Sequence, residues 1–329
     1  MLTQNPPQTT PADTKAPMGT GAKPETDLVC WFEGNFVPLS QAKVGIMTHA
    51  FLYGTAVFEG IRAYWNEDEG QLYVLKAREH FDRIRDSGKV MMMDVGMTTD
   101  ELIALTVDLI RRNGFREDAY VRPTLYKSTE AIGVRLHKID CRLNMFTIPF
   151  GDYIATDRGI SAGTVSWRRN DDLSIPARSK IVGGYANAAF AKTEAQLNGY
   201  DEAIVLTLDG KVSEGSAENL FIVRRGQLIT PGVTNSILEG ITRAALIQLA
   251  QQELGLETVV RPIDRSELYI ADEVFLCGTG AQVSSVISVD HRPIGSGDTG
   301  PVTAKLTGLY FDAVRGRLPA YQDWLTPVY

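Results

Sequence analysis

The sequence predicts an α+β protein large enough for two domains. Length is the first observation: 329 residues exceed what one small hydrophobic core comfortably organises. The second is that short β-hairpins are mixed with amphipathic helices along the chain, a pattern unlike the regular strand–helix alternation of a doubly wound parallel sheet. The third is that no Gly-x-Gly-x-x-Gly run follows a strand, so a dinucleotide fold has no support.

Residues 1–26 read as a disordered tail. Pro6, Pro7, Pro11, Pro17 and Pro24 lie there among Thr, Gln and Gly, with little to bury. The tail lacks the apolar core of a secretory signal, and the first arginine of the chain is Arg62, which argues against a mitochondrial transit peptide. A small N-terminal domain is expected over 27–152. It begins with LVCWFEGNFVPL, a hairpin turning at Glu33-Gly34-Asn35. Thr98-Thr99-Asp100-Glu101 is a capping-box pattern ahead of Leu102, Leu105 and Leu109, and Gly114 closes that helix. Residues 119–127 read as a strand whose alternation places Tyr120, Arg122, Thr124 and Tyr126 on one face, an unusually polar set.

An interdomain linker is expected at 153–160, within a stretch bracketed by Gly151 and Gly159, and a larger domain over 161–329. Residues 185–197 form an Ala-rich helix that stops at Asn198-Gly199. AIVLTL and KVSE flank Asp209-Gly210, the dipeptide favoured by a two-residue type I′ turn, and a further turn falls at Arg225-Gly226. Helix 241–254 carries Leu246, Leu249, Ala250 and Leu254 on one side and ends at Gly255.

Composition narrows the function classes. Thirty-three Lys+Arg against forty Asp+Glu leave a net charge of -7, a field that repels phosphate backbones and disfavours nucleic acid or anionic membrane as partners. No apolar run approaches the ~18–20 residues that span a bilayer. Cys30, Cys141 and Cys277 fit neither a disulfide framework nor a zinc site, and point to a reducing, cytoplasmic compartment.

Four segments could carry chemistry. Lys180 precedes a Gly pair and a helix start; a lysine becomes a nucleophile or base when desolvation or nearby cations depress its pKa, although a lone lysine is ordinarily a solvated surface residue. Lys192, on the helix that follows, competes for that role and reads as a solvated helix position. Ser213–Asn219 places two acids among small residues, in isolation an ordinary polar turn. Leu238-Glu239-Gly240-Ile241-Thr242-Arg243 opens a helix whose free amides, with the Thr242 hydroxyl, suit a phosphate or simply start a helix. Cys277-Gly278-Thr279-Gly280-Ala281 follows an apolar strand and could form a second lip around the same ligand.

The order of these motifs, a Lys, then SEG(S)xEN, then LxGITR, then GT-small, resembles the class IV pyridoxal phosphate (PLP) transaminases. HAFLYGTAVFEGIR (49–62), EHFDR (79–83) and YVRP (120–123) are similar to branched-chain amino acid aminotransferases, and the resemblance runs from about residue 28 to about 318. It implies a two-domain fold with PLP at the interface of a small N-terminal α/β domain and a larger C-terminal domain. It implies amino transfer between Leu, Ile or Val and 2-oxoglutarate, with Lys180 linked to PLP as an aldimine and moving the proton between the substrate Cα and the cofactor. By the same resemblance Glu214 faces the ring nitrogen and Tyr185 the 3′-oxygen, and Leu238 packs on the ring. Arg83, Ile241, Thr242 and Thr279 hold the phosphate. Phe58, Tyr53, Phe150, Tyr153 and Val134 wall an apolar pocket, where a branched side chain gains roughly 1.5–3 kcal/mol. Tyr120 and the amides around Thr279-Gly280 take the α-carboxylate, and Arg62 orders that end. Arg122 meets the distal carboxylate of glutamate, unless it merely pairs with a nearby acid. Ala217, Phe150 and Gly280 depart from the family pattern, where Gly, Trp and Ala are usual.

The rivals within class IV are D-amino acid transaminase, (R)-amine transaminase and aminodeoxychorismate lyase, all of which keep Lys180 and Glu214. Tyr120-x-Arg122 and Arg62 favour the branched-chain type. A non-catalytic PLP-binding regulator is the alternative outside enzymes, and the intact Lys, Glu and phosphate set argues against it. The resemblance also implies a homodimer or larger homo-oligomer, in which the loop Ala131–Arg135 closes the pocket of a neighbouring subunit. Expected partners are small-molecule amino acids and 2-oxo acids.

Overall fold

The computed structural model describes residues 27–151 and 159–329. The expected tail over 1–26, Tyr153 and nearly all of the expected linker lie outside the described residues.

The first part of the chain runs β1 (Val29–Phe32), β2 (Asn35–Pro38), α1 (His49–Tyr53), β3 (Ala56–Phe58), β4 (Ile61–Asn66), β5 (Gln71–Leu75), α2 (Ala77–Val90), α3 (Thr99–Asn113), β6 (Ala119–Lys127) and β7 (Cys141–Pro149). The β1–β2 pairing closes at Phe32 and Asn35 around Glu33-Gly34, both at positive φ, as a type I′ turn requires. Helix α3 carries the complete capping box: the Thr98 hydroxyl accepts Glu101 N–H, and the Glu101 carboxylate accepts Thr98 N–H at 2.7 Å. Gly114 ends it in the left-handed conformation.

The second part runs β8 (Ile160–Arg168), α4 (Tyr185–Leu197), β9 (Glu202–Leu206), β10 (Val212–Gly215), β11 (Asn219–Arg224), β12 (Gln227–Thr230), α5 (Ile241–Leu254), β13 (Thr258–Val260), α6 (Arg265–Leu268), β14 (Glu273–Gly278), β15 (Gln282–Val289), β16 (Arg292–Pro293), α7 (Pro301–Val314) and β17 (Leu325–Pro327). The turn at Arg225-Gly226 is a two-residue link with both residues at positive φ. The Asp209-Gly210 turn is not. Pairing there closes between Leu206 and Val212, Thr207 N–H donates to Lys211 O at 2.8 Å, and of the two only Gly210 takes a positive φ. The Thr207 hydroxyl bonds the Asp209 carboxylate across this longer loop, so glycine occupies its single left-handed position.

Two sheets result. The first has the order β17-β5-β4-β6-β7-β1-β2 with β3 beside β6, and the second the order β10-β9-β8-β15-β14-β11-β12-β13 with β16 beside β15. The second sheet is mixed, β8 running parallel to both β9 and β15. The C-terminal strand β17 returns to the first sheet, pairing Leu325 with Leu75, so the last residues do not stay with the larger domain as the sequence suggested. Helices α2 and α3 cover the first sheet through Phe81, Ile84, Leu102 and Leu109. A separate apolar cluster unites Tyr64 and Leu75 of the first sheet with Phe221 and Phe275 of the second and with α5 and α7. Among the described residues no helix is long and apolar enough to cross a membrane.

Backbone pairing completes the join. Phe58 N–H donates to Lys180 O, Gly183 N–H donates to Gly54 O (both 3.1 Å), and Val57 forms an antiparallel bridge with Ile181. Gly54 has φ +66, and a Cβ there would lie 2.7 Å from Gly183 Cα. Gly114 has nearly the same φ, +67, but a Cβ on it would meet nothing within 4 Å. Gly114→Ala should therefore cost only the left-handed backbone penalty, about 1 kcal/mol, whereas Gly54→Ala adds a backbone clash and should cost clearly more. Equal losses in denaturant unfolding would show that the Gly54–Gly183 contact contributes nothing.

Candidate active site

A cavity of about 540 Å³ opens where the two sheets meet. Its lining brings together Phe58, Arg83, Tyr120, Arg122, Phe150, Lys180, Tyr185, Glu214, Leu238, Ile241, Thr242, Thr279 and Gly280, drawn from both parts of the chain. Its apolar walls extend further, through Phe146 and Ile148 of β7 and Ile175 ahead of the lysine.

Lys180 is held by its main chain before its amine is considered. Its carbonyl accepts Phe58 N–H, and its N–H donates to the Ser87 hydroxyl of α2 at 3.1 Å. Nζ donates to Tyr185 Oη at 2.8 Å and lies 5.1 Å from the centroid of the Phe58 ring. Lys192 is elsewhere, and it is not the solvated side chain that its helix position suggested. It donates to the buried carboxylate of Glu202 and to Asp201 O, so helix α4 turns it towards β9.

At one end of the cavity Arg83 presents its guanidinium. Nε and Nη2 each lie 2.7 Å from an oxygen of Glu59, and Nη1 donates to Glu239 O at 2.8 Å. His80 Nδ1 donates to the same Glu59 carboxylate at 2.8 Å. Burial alone would raise the Glu59 pKa, but the charge and hydrogen bonds of Arg83, with those of His80, bring it down to about 2. Burial pushes His80 down, towards the neutral ring. Beside Arg83, α5 begins at Gly240 with no side-chain cap, leaving amides of its first turn without an intrahelical partner.

Glu214 sits at another part of the lining, buried on β10. Arg169 Nε is 2.8 Å from one oxygen; the other accepts Asn219 Nδ2 at 3.0 Å and Leu238 N–H at 3.1 Å. Burial raises its pKa, with Arg169 acting against that.

On the substrate side, Arg122 Nε donates to Tyr120 Oη at 2.8 Å, and its guanidinium lies 4.3 Å from the Phe58 ring centroid. Among the described residues no carboxylate pairs with it. Arg62 does not line the cavity. It is fully buried behind it, where its guanidinium donates to four carbonyls: Thr279 O at 2.9 Å, Gly280 O at 3.2 Å, Phe150 O at 3.3 Å and Gly151 O at 3.0 Å. Tyr53 and Val134 do not reach the cavity of their own chain either. Tyr53 Oη accepts Gly133 N–H at 3.1 Å, and Val134 is 75% exposed on the 131–135 loop.

Glu59, His80, Ser87, Arg169 and Asn219 escaped the sequence reading. Glu59, His80 and Asn219 stand inside quoted motifs, so the signal was present, while Arg169 lies in the charged run WRRNDD and reads as solvated.

Residues 56–289 match the family model for amino-transferase class IV. Over 299 residues the chain is 50% identical to a probable branched-chain-amino-acid aminotransferase of Aquifex aeolicus, covering 91% of this chain and 96% of that protein. It is 40% identical over 304 residues to the branched-chain-amino-acid aminotransferase of Escherichia coli K12, covering 91% and 96%. Among solved structures, the branched-chain aminotransferase of Thermoproteus uzoniensis with norvaline superposes with a TM-score of 0.89 at 42% identity, covering 92% of this chain and 100% of that one. The enzyme of Thermobaculum terrenum in its PLP form gives 0.89 at 37% identity, covering 93% and 99%.

Removing the Glu59 charge should leave Arg83 buried without its counter-ion. In the cofactor-free protein Glu59→Gln is expected to cost about 3 kcal/mol. The Glu59 pKa is depressed on folding, so its contribution is present above the ordinary value of 4.5 and fades as pH falls towards about 2. Unfolding curves of wild type and variant should therefore converge over that window; a gap independent of pH would refute the account.

Proposed function

The chain belongs to the branched-chain-amino-acid aminotransferases of class IV, and from that premise we propose how its own residues divide the work of amino transfer. The cofactor of this family is pyridoxal phosphate, and the chemistry of the donor set suits it. One end of the cavity offers a guanidinium and uncapped helix amides to an anion; a buried carboxylate elsewhere in the lining suits a basic ring nitrogen; a lysine amine belongs to the same lining. That combination is the observation that carries the reading.

In this assignment Arg83, the amides of Ile241 and Thr242, and the hydroxyls of Thr242 and Thr279 hold the phosphate. Tyr185 meets the 3′-oxygen, Leu238 packs on the ring, and Glu214 faces the ring nitrogen. When bound, the cofactor supplies a carbonyl that takes up the amino group and a ring that withdraws electrons from the substrate Cα. The protein supplies the proton handling. Lys180 Nζ would move the proton at the substrate Cα, and Tyr185 Oη, 2.8 Å away, would aim it. Glu214 would stabilise a proton on the ring nitrogen, and Arg169 works against the upward pull that burial exerts on the Glu214 pKa.

Two substrate classes use one pocket in turn: Leu, Ile or Val, and 2-oxoglutarate or its amino form. Tyr120 and the amides of Thr279-Gly280 take the α-carboxylate, and Arg62 steadies that segment through its carbonyls. Phe58 and Phe150 bury a branched side chain. Arg122, which lacks a carboxylate partner among the described residues, receives the distal carboxylate of the acidic substrate. Tyr53 and Val134 complete the pocket of a neighbouring copy. His49 and Tyr53 both bond Gly133, which binds α1 to the 131–135 loop as one unit, and Ile46, Phe51, Ile132 and Val134 are exposed there. A homodimer covers those side chains. We place the enzyme in the cytoplasm, where Cys30, Cys141 and Cys277 stay free thiols.

Borohydride treatment of the yellow holoenzyme should fix the cofactor to the peptide containing Lys180; a label on Lys192 would sink the assignment. Turnover of L-leucine with 2-oxoglutarate tests the reaction itself. In Arg122→Leu the glutamate half-reaction should fall by at least 100-fold, the value of about 3 kcal/mol from a lost charge-assisted bond, with far less change for leucine. Equal losses on both would show that Arg122 serves the fold or the α-carboxylate.

A further inference from the structure

Beside Glu214, and partly in the same cavity lining, lies a second set of charges that the assigned reaction does not use. Three carboxyl groups are buried at this end of the second sheet: Glu202 on β9, Glu214 on β10, and Glu218 in the turn leading into β11. Among the described residues two cations contact them directly, and each is committed. Arg169 lies 2.8 Å from Glu214, and Lys192 of α4 donates to Glu202. Glu218 meets neither. Its Oε2 accepts Ala217 N–H at 3.0 Å, and its main-chain oxygen accepts Gly215 N–H at 2.7 Å. A Cβ on Gly215 would come within 2.6 Å of Glu218 Oε2, so the carboxyl is clasped by backbone rather than held by charge. From β14, Cys277 faces the same region as a thiol, its pKa raised by burial, with Arg243 of α5 beside it.

We propose that Glu218 is a positioning residue that works as a neutral acid: with both nearby cations engaged by Glu202 and Glu214, it keeps its proton and leaves Glu214 the ionised carboxylate facing the cavity. Three negative charges against two cations would leave one buried charge unpaired, which a low-dielectric interior penalises heavily. Burial, and then the charges of Glu202 and Glu214, push the Glu218 pKa up from 4.5 to about 8, while the Ala217 N–H and Lys192 pull the other way. Were Glu218 to ionise, its charge would raise the proton affinity of Glu214 and blunt it as the partner of the ring nitrogen. That consequence rests on the role assigned to Glu214 above; the proton on Glu218 does not.

The test compares thermal unfolding of the full chain, wild type and Glu218→Gln, across pH, with and without cofactor. Because the folded pKa lies above the unfolded one, the Glu218 contribution is fully present below 4.5 and is lost as pH rises to about 8. Gln has no such loss. The Tm of Glu218→Gln relative to wild type should therefore climb through that window and level off above it; a difference constant with pH overturns the proposal. Infrared difference spectra of wild type minus Glu218→Gln at pH 7 should show the carbonyl stretch of a protonated carboxylic acid, and a carboxylate band in its place overturns it too. If Glu218→Gln does not fold, Glu202→Gln serves, since it removes a facing negative charge. In that variant the pH at which the acid band disappears should drop by one unit or more, and an unchanged value counts against the proposal. Neither signature depends on turnover, so a near-native rate for Glu214→Gln would strike the assignment of Glu214 alone.

Discussion

Lys180 belongs to the second half of the chain, yet its main chain is hydrogen-bonded to the first. Phe58 of β3 donates to its carbonyl and Ser87 of α2 accepts its N–H, so the lysine is fixed by the sheet it faces. This pairing needs the backbones of Gly54 and Gly183 to approach more closely than any side chain would permit. Gly54 meets a second demand, since it also ends α1 in the left-handed conformation. Most of the site follows from that join. The Phe58 ring is carried to within 4.9 Å of the Tyr185 ring, and the Lys180 amine lies 5.1 and 5.4 Å from the two centroids.

Around this join, buried cations are held in two physically different ways. Arg83 and Arg169 face carboxylates, which compensates their charge and aims their remaining donors. Among the described residues Arg62 donates to neutral acceptors alone, four carbonyls from two separated segments. Its guanidinium lies 4.7 Å from the Phe150 ring centroid and ties residues 150–151 to residues 279–280. A lysine could not make that four-way contact, because its ammonium lacks the planar fork.

Local chemistry was legible in the sequence and long-range pairing was not. The capping box at Thr98, the Glu33-Gly34 and Arg225-Gly226 turns and the span of β6 all followed from residues within a few positions of one another. Asp209-Gly210 misled because its loop is set by Thr207 and Lys211, outside the dipeptide. Glu59 finds Arg83 24 positions away, and Glu214 finds Arg169 from the far side of the lysine; no periodicity announces such partners. Lys192 looked solvated because helix position alone does not reveal that β9 presents a buried carboxylate to it. The motif order pointed to the cavity residues as a group, while the division between those that line it and those that brace it follows only from tertiary packing. Arg62, Tyr53 and Val134 are the instances.

The net charge of -7 contrasts with a lining that, among the described residues, carries four cations: Arg83, Arg122, Arg169 and Lys180. Pairing decides what that contrast means. Arg83 and Arg169 are matched by Glu59 and Glu214, so neither leaves an excess charge to attract an incoming acid. Lys180 and Arg122 are bonded instead to phenolic oxygens, Tyr185 and Tyr120, which accept a hydrogen bond without cancelling charge. The uncompensated positive potential is thereby concentrated at two points of one cavity, where low-dielectric walls strengthen it. In the assignment proposed above, Arg122 is the point a distal carboxylate would meet, and a branched side chain would meet the aromatic faces of Phe58 and Phe150 in its place. On that reading, dual recognition turns on Arg122, which has no carboxylate partner among the described residues.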